Sequence, residues 1–321
     1  MTKTCLIITD HFEPTADCLL AELRRRGIAC LRWNLDGFPW DSSITYRIDS
    51  QSVGGEFLCD GRTVELASIG SVWCRGFRPS GFPDGLGDED KKFVQDEAQR
   101  ALDALMTVLE VPWVNHPQNH ARANSKAAQL FAAREIGLDI PRTIITNDPG
   151  EVRRFIDTSA GDVIYKAHSQ SLNLEPGKAL FTGVLTKKEI DHLELIKVSP
   201  GVFQEYVPKA YEVRVTVVGS KIFSGKIESQ ASSETRVDWR RKPFEINNEP
   251  VALPPDVETK IHALMQRFGL LYGALDFIVT PEGRHVFLEI NPAGQYLWVE
   301  SVTKMPITAA LADVLGGACT G

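Results

Sequence analysis

The stretch that decides the fold lies near the carboxyl end of the chain. It consists of two apolar runs, LDFIV at residues 275–279 and VFLEINP at residues 286–292. The residues between them include Pro281-Glu282-Gly283, which favours a turn, so the two runs are predicted to form a β-hairpin. With the turn centred on Glu282-Gly283, Asp276 stands opposite Glu289. The hairpin therefore brings two acidic side chains together within an apolar strand pair.

Three oxygen-bearing side chains of this hairpin converge on one patch. Because side chains alternate along a strand, Glu289 and Asn291 share a face, and Asp276 lies across from them. Acids among Leu, Phe, Ile and Val are costly unless they are paired or bound to a cation, and an all-oxygen set without His or Cys suits Mg²⁺. The alternative is that one acid faces water and the other pairs with Arg284 or a neighbouring residue. The hairpin alone leaves both interpretations open.

Two lysines upstream are candidates for binding phosphate. Lys166 follows the apolar run VIY at residues 163–165, so its ammonium lies at a strand end. Lys126 lies within a predicted helix, after Asn124-Ser125. An ammonium in either place can reach a phosphate as a point charge. The alternative is that Lys166 is merely solvated and Lys126 belongs to the polar face of an amphipathic helix.

A third candidate segment reads FQEYVPKAYEVRV at residues 203–215. Its linker, Gln204 to Val207, can offer backbone groups to an adenine edge. The strand that follows carries Glu212 and Arg214 on one face, and the Arg214 fork can contact phosphate oxygens. The alternative is an edge strand with a charged outer face.

The run VDWRRK at residues 237–242 places three cations beside an acid and an aromatic ring. Such a cluster can bind a carboxylate or an acyl phosphate, with Asp238 orienting Arg240. It is equally compatible with a solvated charged loop.

The hydrophobic pattern predicts an α/β amino-terminal part followed by α+β lobes. Strand patterns cover residues 5–9, 28–33, 44–48, 56–66 with a hairpin at Asp60-Gly61, 71–74, 143–146, 163–166, 180–185, 202–207, 212–218, 221–227, 275–279 and 285–290. One helix pattern begins at Pro14, and others cover residues 89–110, 119–136, 187–195 and 256–268. Phe93 belongs to the apolar stripe of the pattern at 89–110.

The overall composition indicates two or three packed subdomains. The chain has 321 residues, of which 43% are apolar and 24% charged, enough for more than one core. A formal charge of −7 gives no basic excess, so we expect no nucleic acid partner. The six cysteines form no CxxC pair, and the apolar run at residues 5–8 is too short for a signal peptide or a membrane span. We expect a reduced, cytoplasmic protein with no membrane partner.

Taken in order, these segments resemble the ATP-grasp superfamily, and more closely its ribosomal peptide maturases, the graspetide (microviridin-type) macrocyclases. The resemblance covers nearly the whole chain. It is carried by FEPTAD at 12–17, SVWCR at 71–75, WVNHP at 113–117, Lys126, PRT at 141–143, ITN at 145–147, QEYVPK at 204–209, EVRVTVVG at 212–219, DWR at 238–240, YGALDF at 272–277 and FLEINPAGQ at 287–295.

The resemblance implies a fold and its boundaries. It implies two α+β lobes that clasp ATP, preceded by an MvdD-like βαβ pre-ATP-grasp domain. The expected ranges are 1–115 for the pre-ATP-grasp domain, 116–200 for the central subdomain and 201–321 for the carboxyl-terminal subdomain.

The resemblance also implies roles for the candidate residues. Lys126 and Lys166 would contact the ATP phosphates, Gln204, Glu205, Tyr206 and Val207 would form the adenine-contacting hinge, and Glu212 would hold the ribose. Arg214 and Arg240, with Asp238, would steady the phosphoryl group or acyl phosphate, and Asp276, Glu289 and Asn291 would hold Mg²⁺.

The implied activity is an ADP- and phosphate-releasing ligase. It would phosphorylate an Asp or Glu of a precursor peptide, made of a leader and a core, and condense it with Thr, Ser or Lys into an ester or amide macrocycle. Such enzymes are often homodimers. The competing hypotheses are a ligase for small amino acids or a protein tail, and a nucleotide-binding protein without chemistry.

The sequence departs from the family pattern in two places. The loop from His168 to Lys178 contains one glycine, Gly177, so a glycine-rich phosphate cover is not evident. The final motif has Ala293 where a second Asn is frequent in the family. The first departure leaves the phosphate-covering segment unassigned.

Overall fold

The computed structural model describes residues 3–82, 85–168, 182–232, 235–239 and 248–319. Within these ranges the strands β1 to β16 are, in chain order, Thr4–Thr9, Cys30–Asn34, Ser43–Ile48, Val53–Cys59, Arg62–Glu65, Ile69–Cys74, Trp113–Val114, Thr143–Thr146, Val163–Lys166, Gly183–Val184, Gly201–Glu205, Tyr211–Val218, Lys221–Ile227, Asn248–Pro250, Tyr272–Val279 and His285–Asn291. The helices α1 to α10 are Pro14–Arg25, Asp88–Asp103, Leu105–Val108, Pro117–Ala123, Lys126–Ile136, Pro149–Asp157, Lys187–Asp191, Pro255–Phe268, Leu297–Thr303 and Ile307–Gly317.

The amino-terminal part is built on a parallel sheet in the order β2-β1-β6-β7. Helix α1 connects the first two strands, as the strand–helix–strand pattern predicts. A small antiparallel sheet, β3-β4-β5, contains the predicted hairpin, where Asp60 and Gly61 both have positive φ. The two-residue turn matches the Asp-Gly signal because this turn type needs left-handed backbone.

Two antiparallel sheets follow. The first has the order β10-β9-β11-β8, and the second has the order β14-β13-β12-β15-β16. The larger sheet buries valines and other apolar side chains of β12 and β15 against α5 and α8. Its other face is left for polar side chains, because residues alternate along each strand. The mixed α/β and α+β architecture confirms the predicted fold class.

The β15–β16 hairpin has the predicted register. Asp276 is the pairing partner of Glu289, and Ala274 is the partner of Asn291. The turn contains Gly283, whose φ of 85° lies in the left-handed region. The hairpin therefore places its two acids opposite each other, with a register irregularity directly after Asp276.

Three sequence-based predictions about helices need correction. The helix predicted for 89–110 is broken after Asp103, and Phe93 is 66% exposed instead of belonging to an apolar stripe. The helix predicted for 119–136 is two helices, because Ser125 caps a new amino terminus. Lys126 is consequently the first residue of α5. Three helices and two short strands carried no prediction: α6, α9, α10, β7 and β14.

The predicted boundary at residue 200 falls just before β11. This strand pairs with both β8 and β9, so it lies in the smaller of the two antiparallel sheets. The sheet pairing favours a boundary after Glu205. The three-part division itself remains a prediction.

The carboxyl-terminal helix α10 packs on the amino-terminal sheet. Ile307, Leu311 and Leu315 share a core with Leu19 and Leu23 of α1. The two ends of the chain are thus joined by one apolar cluster.

The described residues contain no helix that combines the length and the apolar character needed to cross a bilayer. All six cysteines lie in the described part of the chain, and none forms a disulfide. Burial raises the pKa of the Cys5, Cys59 and Cys74 thiols to about 12. These thiols are packing groups and are not activated as nucleophiles.

Candidate active site

A cleft is lined by residues of the four-stranded and the five-stranded antiparallel sheets. Most residues singled out in the sequence line it, although they are spread over more than 160 positions: Lys126, Lys166, Gln204, Glu205, Tyr206, Val207, Glu212, Asp238, Asp276 and Glu289.

The two lysines reach the cleft from element ends. Lys126 is the first residue of α5, and Lys166 is the last residue of β9. Lys126 Nζ lies 2.5 Å from Glu289 Oε2, and its side chain is only 15% exposed. Lys126 is therefore not part of a solvated helix face.

Arg214 pairs with the other acid of the hairpin. Its Nη1 donates to Asp276 Oδ1 at 2.9 Å, and its Nη2 donates to the Gln295 carbonyl at 3.3 Å. Burial lowers the pKa of the guanidinium, but the Asp276 charge outweighs this and the pKa ends above its ordinary value. The strand that carries Arg214 pairs with β13 on one side and β15 on the other, so it is not the edge strand of the alternative interpretation.

The oxygen ligands predicted for Mg²⁺ fit that ion. Asp276 and Glu289 both line the cleft, each beside one cation. Arg284, the alternative partner, instead lies 3.6 Å from Asp139. Asn291 follows on the same strand, and its Oδ1 accepts a hydrogen bond from the Ala293 backbone at 3.0 Å. Two carboxylates and an amide suit Mg²⁺, which takes its remaining ligands from water and phosphate.

No cluster of three or more His, Cys, Asp and Glu side chains spaced to hold a metal occurs in the part of the chain that the structure describes. An all-protein metal cage is thus not what these residues provide. The pair of carboxylates leaves coordination positions that only a ligand can fill.

Glu212 has a buried partner that the sequence did not indicate. Lys209 Nζ lies 2.6 Å from Glu212 Oε1, and the Lys209 side chain is only 3% exposed. Lys209 Nζ also donates to the Val237 carbonyl at 3.2 Å. Burial raises the pKa of Glu212 despite the nearby Lys209 charge. Lys209 directly follows Pro208 and stands three residues before Glu212, a spacing too common to mark a site.

The linker after β11 forms one wall of the cleft. The Tyr206 backbone N–H donates to the Asp162 carbonyl at 2.7 Å, which fixes the linker against the start of β9. Apolar side chains that the sequence did not single out also line the cleft: Ile164, Ile278 and Leu288. Apolar side chains beside backbone polar groups suit a heteroaromatic base.

Asp238 is buried and touches a backbone group. Its Oδ2 accepts a hydrogen bond from the Thr182 N–H at 3.1 Å. The neighbouring Trp239 ring lies 4.8 Å from the Trp298 ring. Arg240, which Asp238 was predicted to orient, lies outside the described residues, as do residues 169–178 of the segment from His168 to Lys178 considered for phosphate cover.

A family model described as the MvdD pre-ATP grasp domain matches residues 4–121. A search of curated protein sequences finds no match. The macrocyclase MdnC from Microcystis aeruginosa MRC, solved with the precursor peptide MdnA, is 32% identical; the match covers 97% of this chain and 99% of MdnC, with a TM-score of 0.88.

Two further solved structures are similar. A RiPP-associated ATP-grasp ligase from Chryseobacterium gregarium, solved with ADP and a leader and core peptide, is 28% identical over 98% of this chain and 96% of that one, with a TM-score of 0.89. The ATP-grasp ligase PsnB, solved with a minimal precursor, Mg and ADP, is 22% identical over 99% and 98% of the two chains, with a TM-score of 0.78.

The fold, the cleft and these matches define an ATP-grasp ligase with a pre-ATP-grasp domain. Within that class the chain belongs to the family of RiPP ATP-grasp macrocyclases that includes MdnC. The family and the enzyme class inferred from the sequence are confirmed. The roles of the individual residues remain predictions.

Proposed function

We propose that this protein uses ATP and Mg²⁺ to join Asp or Glu side chains of a ribosomal precursor peptide to Thr or Ser hydroxyls or Lys amines of the same peptide. The observation that carries the proposal is the cleft itself, where two lysines, a backbone linker and two opposed carboxylates meet. MdnC and the Chryseobacterium gregarium ligase, which match nearly the whole chain, were solved with such peptides.

The nucleotide would lie along the cleft. The linker from Gln204 to Val207 binds the adenine, and Glu212, held by Lys209, accepts hydrogen bonds from the ribose. Lys126 and Lys166 contact the phosphates as point charges. Asp276, Glu289 and Asn291 would hold Mg²⁺, which would supply positive charge beside the phosphate oxygens.

The chemistry proceeds in two steps. First, a carboxylate oxygen of the peptide attacks the γ-phosphorus of ATP, the bond from that phosphorus to the β,γ-bridging oxygen breaks, and ADP leaves. Next, a hydroxyl or amine of the peptide attacks the acyl carbon, loses its proton, and phosphate departs. Arg214 and Arg240 stabilise the negative charge that develops in both steps, and Asp238 anchors the segment before Arg240.

The partner, the assembly and the compartment complete the proposal. The leader of the precursor binds the enzyme while the core enters the cleft. The enzyme acts as a homodimer in the cytoplasm, where ATP and Mg²⁺ are present. The ranges 1–115, 116–200 and 201–321 serve as its pre-ATP-grasp, central and carboxyl-terminal units.

Mass spectrometry of candidate precursor peptides tests the proposal. Incubated with ATP and Mg²⁺, the wild-type enzyme should remove one water mass per bond formed. Asp276→Asn should abolish the reaction, because the variant loses the negative charge of one metal ligand and with it the ion pair to Arg214. Glu282→Gln, in the exposed turn of the same hairpin, is the matched control and should retain activity. Full activity of Asp276→Asn would contradict the metal assignment.

Phosphate release separates this function from its competitors. Release that requires the peptide supports peptide maturation. Release with free amino acids in place of the peptide would favour a small-molecule ligase. Nucleotide binding without any release would identify a protein that has kept the fold and lost the chemistry.

A further inference from the structure

The loop Pro292–Gln295 follows the proposed metal ligand Asn291, and side chains of the amino-terminal domain bind it. Asn115 Nδ2 donates to the Pro292 carbonyl at 2.8 Å. Arg75 Nη1 donates to the Ala293 carbonyl at 2.7 Å. Both residues come from the parallel-sheet part of the molecule, Arg75 directly after β6 and Asn115 directly after β7.

Arg75 is held by a carboxylate of the same domain. Glu13 caps α1, and its Oε2 lies 3.5 Å from Arg75 Nη2, whose side chain is only 6% exposed. Gln295 Nε2 donates to the same Glu13 oxygen at 3.2 Å, and Thr15 Oγ1 donates to Gln295 Oε1 at 2.6 Å. The loop is thus tied to the amino-terminal domain through both backbone and side-chain atoms.

The opposite side of the loop touches Arg214. The Gln295 carbonyl accepts from Arg214 Nη2 at 3.3 Å. A Cβ at Gly294 would lie 2.7 Å from the same Nη2 and 2.5 Å from the Ala274 Cβ, so backbone and guanidinium are in close contact. Since Arg214 also bonds Asp276, a shift of the loop displaces a cation and a metal ligand together.

We propose that Arg75 and Glu13 are positioning residues of the ligase reaction, which fix the loop 292–295 and through it the Arg214 guanidinium. Neither residue lines the nucleotide cleft. The expected kinetic effect rests on the proposed function. The expected structural effect rests only on the contacts of the loop. Its effect should be on the chemical step, because a cation misplaced by about 1 Å can cost about a hundredfold in rate.

Arg26 provides a matched control. It also joins the amino-terminal domain to the carboxyl-terminal part, with Nη1 2.6 Å from Asp313 and Nη2 donating to the Ala309 carbonyl at 3.0 Å. Its partners belong to α10 or to the same helix, and none lines the cleft. Arg26→Gln therefore removes a comparable domain contact without touching the loop 292–295.

The kinetic experiment compares Arg75→Gln with Arg26→Gln in peptide-dependent phosphate release. We expect Arg75→Gln to lower kcat at least about tenfold, with the KM for ATP changed less than about threefold, because the nucleotide wall is untouched. Arg26→Gln should leave both within about twofold. Combining Arg75→Gln with Arg214→Lys should cost little more than Arg214→Lys alone, since both act on one group. Unchanged kcat in folded Arg75→Gln, equal losses in the two arginine variants, or losses that multiply would each overturn the proposal.

Hydrogen–deuterium exchange tests the same idea without turnover. Amides of residues 293–296 should exchange faster in Arg75→Gln than in wild type, and at the wild-type rate in Arg26→Gln. Unchanged exchange in Arg75→Gln would overturn the positioning role whatever the substrate is. A wild-type enzyme that modifies no peptide would contradict the proposed function alone.

Discussion

At the scale of single residues, the candidate site is organised by partly buried ion pairs whose partners come from distant parts of the chain. Arg214 pairs with Asp276 and Lys126 pairs with Glu289, each within hydrogen-bonding distance. A charge withdrawn from water is costly without a partner, so these pairs hold the four side chains in place. Because the cations pair with the proposed metal ligands, we expect metal binding and phosphate binding to be coupled in this cleft.

Replacing Arg214 by lysine tests the value of its planar fork. The guanidinium reaches Asp276 and the Gln295 carbonyl at once, whereas a single ammonium can satisfy only one of them well. We expect Arg214→Lys to lower kcat at least about tenfold in steady-state phosphate release. Arg284→Lys is the matched control, because Arg284 also faces an aspartate, Asp139, but on the exposed surface. Wild-type kcat in Arg214→Lys would show that charge alone suffices.

Glu212 makes the stability of the protein depend on pH. Its folded pKa is raised above 4.5 by burial, so the folded state holds this proton more tightly than the unfolded chain does. The stability contributed by the protonated form is present at low pH. It is lost as the pH rises from about 4.5 through the raised folded-state pKa of Glu212. Relative to Glu212→Gln, the wild type should therefore lose stability between pH 4.5 and 7 in urea unfolding.

The control for this pH effect has the opposite sign. A hydrogen bond from Thr280 lowers the pKa of exposed Glu282, so ionisation of Glu282 favours the folded state. Relative to Glu282→Gln, the wild type should gain slightly over the same pH interval. A difference of the same sign for both variants would show that the environment of Glu212 does not disfavour its charge.

At the scale of elements, the β15–β16 hairpin places both acids, and its turn can be tested separately. Gly283 has φ of 85°, and a Cβ there would meet nothing within 4 Å. The cost of Gly283→Ala is therefore that of left-handed backbone alone, about 1–2 kcal/mol in free energy of unfolding. Thermal or urea unfolding measures it.

Gly161→Ala serves as the control for this substitution. Its site is equally open but has no positive φ, so we expect no comparable loss of stability. If the two variants were equally stable, the strain assigned to the turn would be absent. Activity of Gly283→Ala should fall less than that of Asp276→Asn, since the strands on both sides of the turn remain paired.

At the scale of the whole molecule, the two ends of the chain share one core. Leu311 of α10 is fully buried among residues of α1 and of the parallel sheet. Leu311→Ala should lower the free energy of unfolding by about 2–5 kcal/mol, because it leaves a cavity in that cluster. Val302→Ala, on the half-exposed face of α9, should change it by less than about 0.5 kcal/mol. Equal urea midpoints for the two variants would contradict the shared core.

Local sequence patterns determined the hairpin of the candidate site and the faces on which its charged side chains lie. The Glu282-Gly283 hairpin, its pairing of Asp276 with Glu289 and the alternation that places Glu212 beside Arg214 on one face all follow from turn chemistry and strand period. The ordered set of motifs along the chain was specific enough to indicate the family and the enzyme class. Such information is local in sequence, so it can be read without coordinates.

Only the tertiary structure decided which groups meet. The contact of Arg75 with the Ala293 carbonyl depends on long-range packing, and the break before Lys126 depends on a cap whose signal is weak. Lys209 is only three residues from its partner Glu212, but that spacing is too common to single it out. Helix α10 packs against α1, nearly three hundred residues away, because its apolar face needs a partner and the parallel sheet offers one. Contacts between residues so far apart in the chain leave no periodic pattern or fixed spacing in the sequence. Many other residues could bury the same apolar surface or neutralise the same charge, so the sequence does not identify the partner.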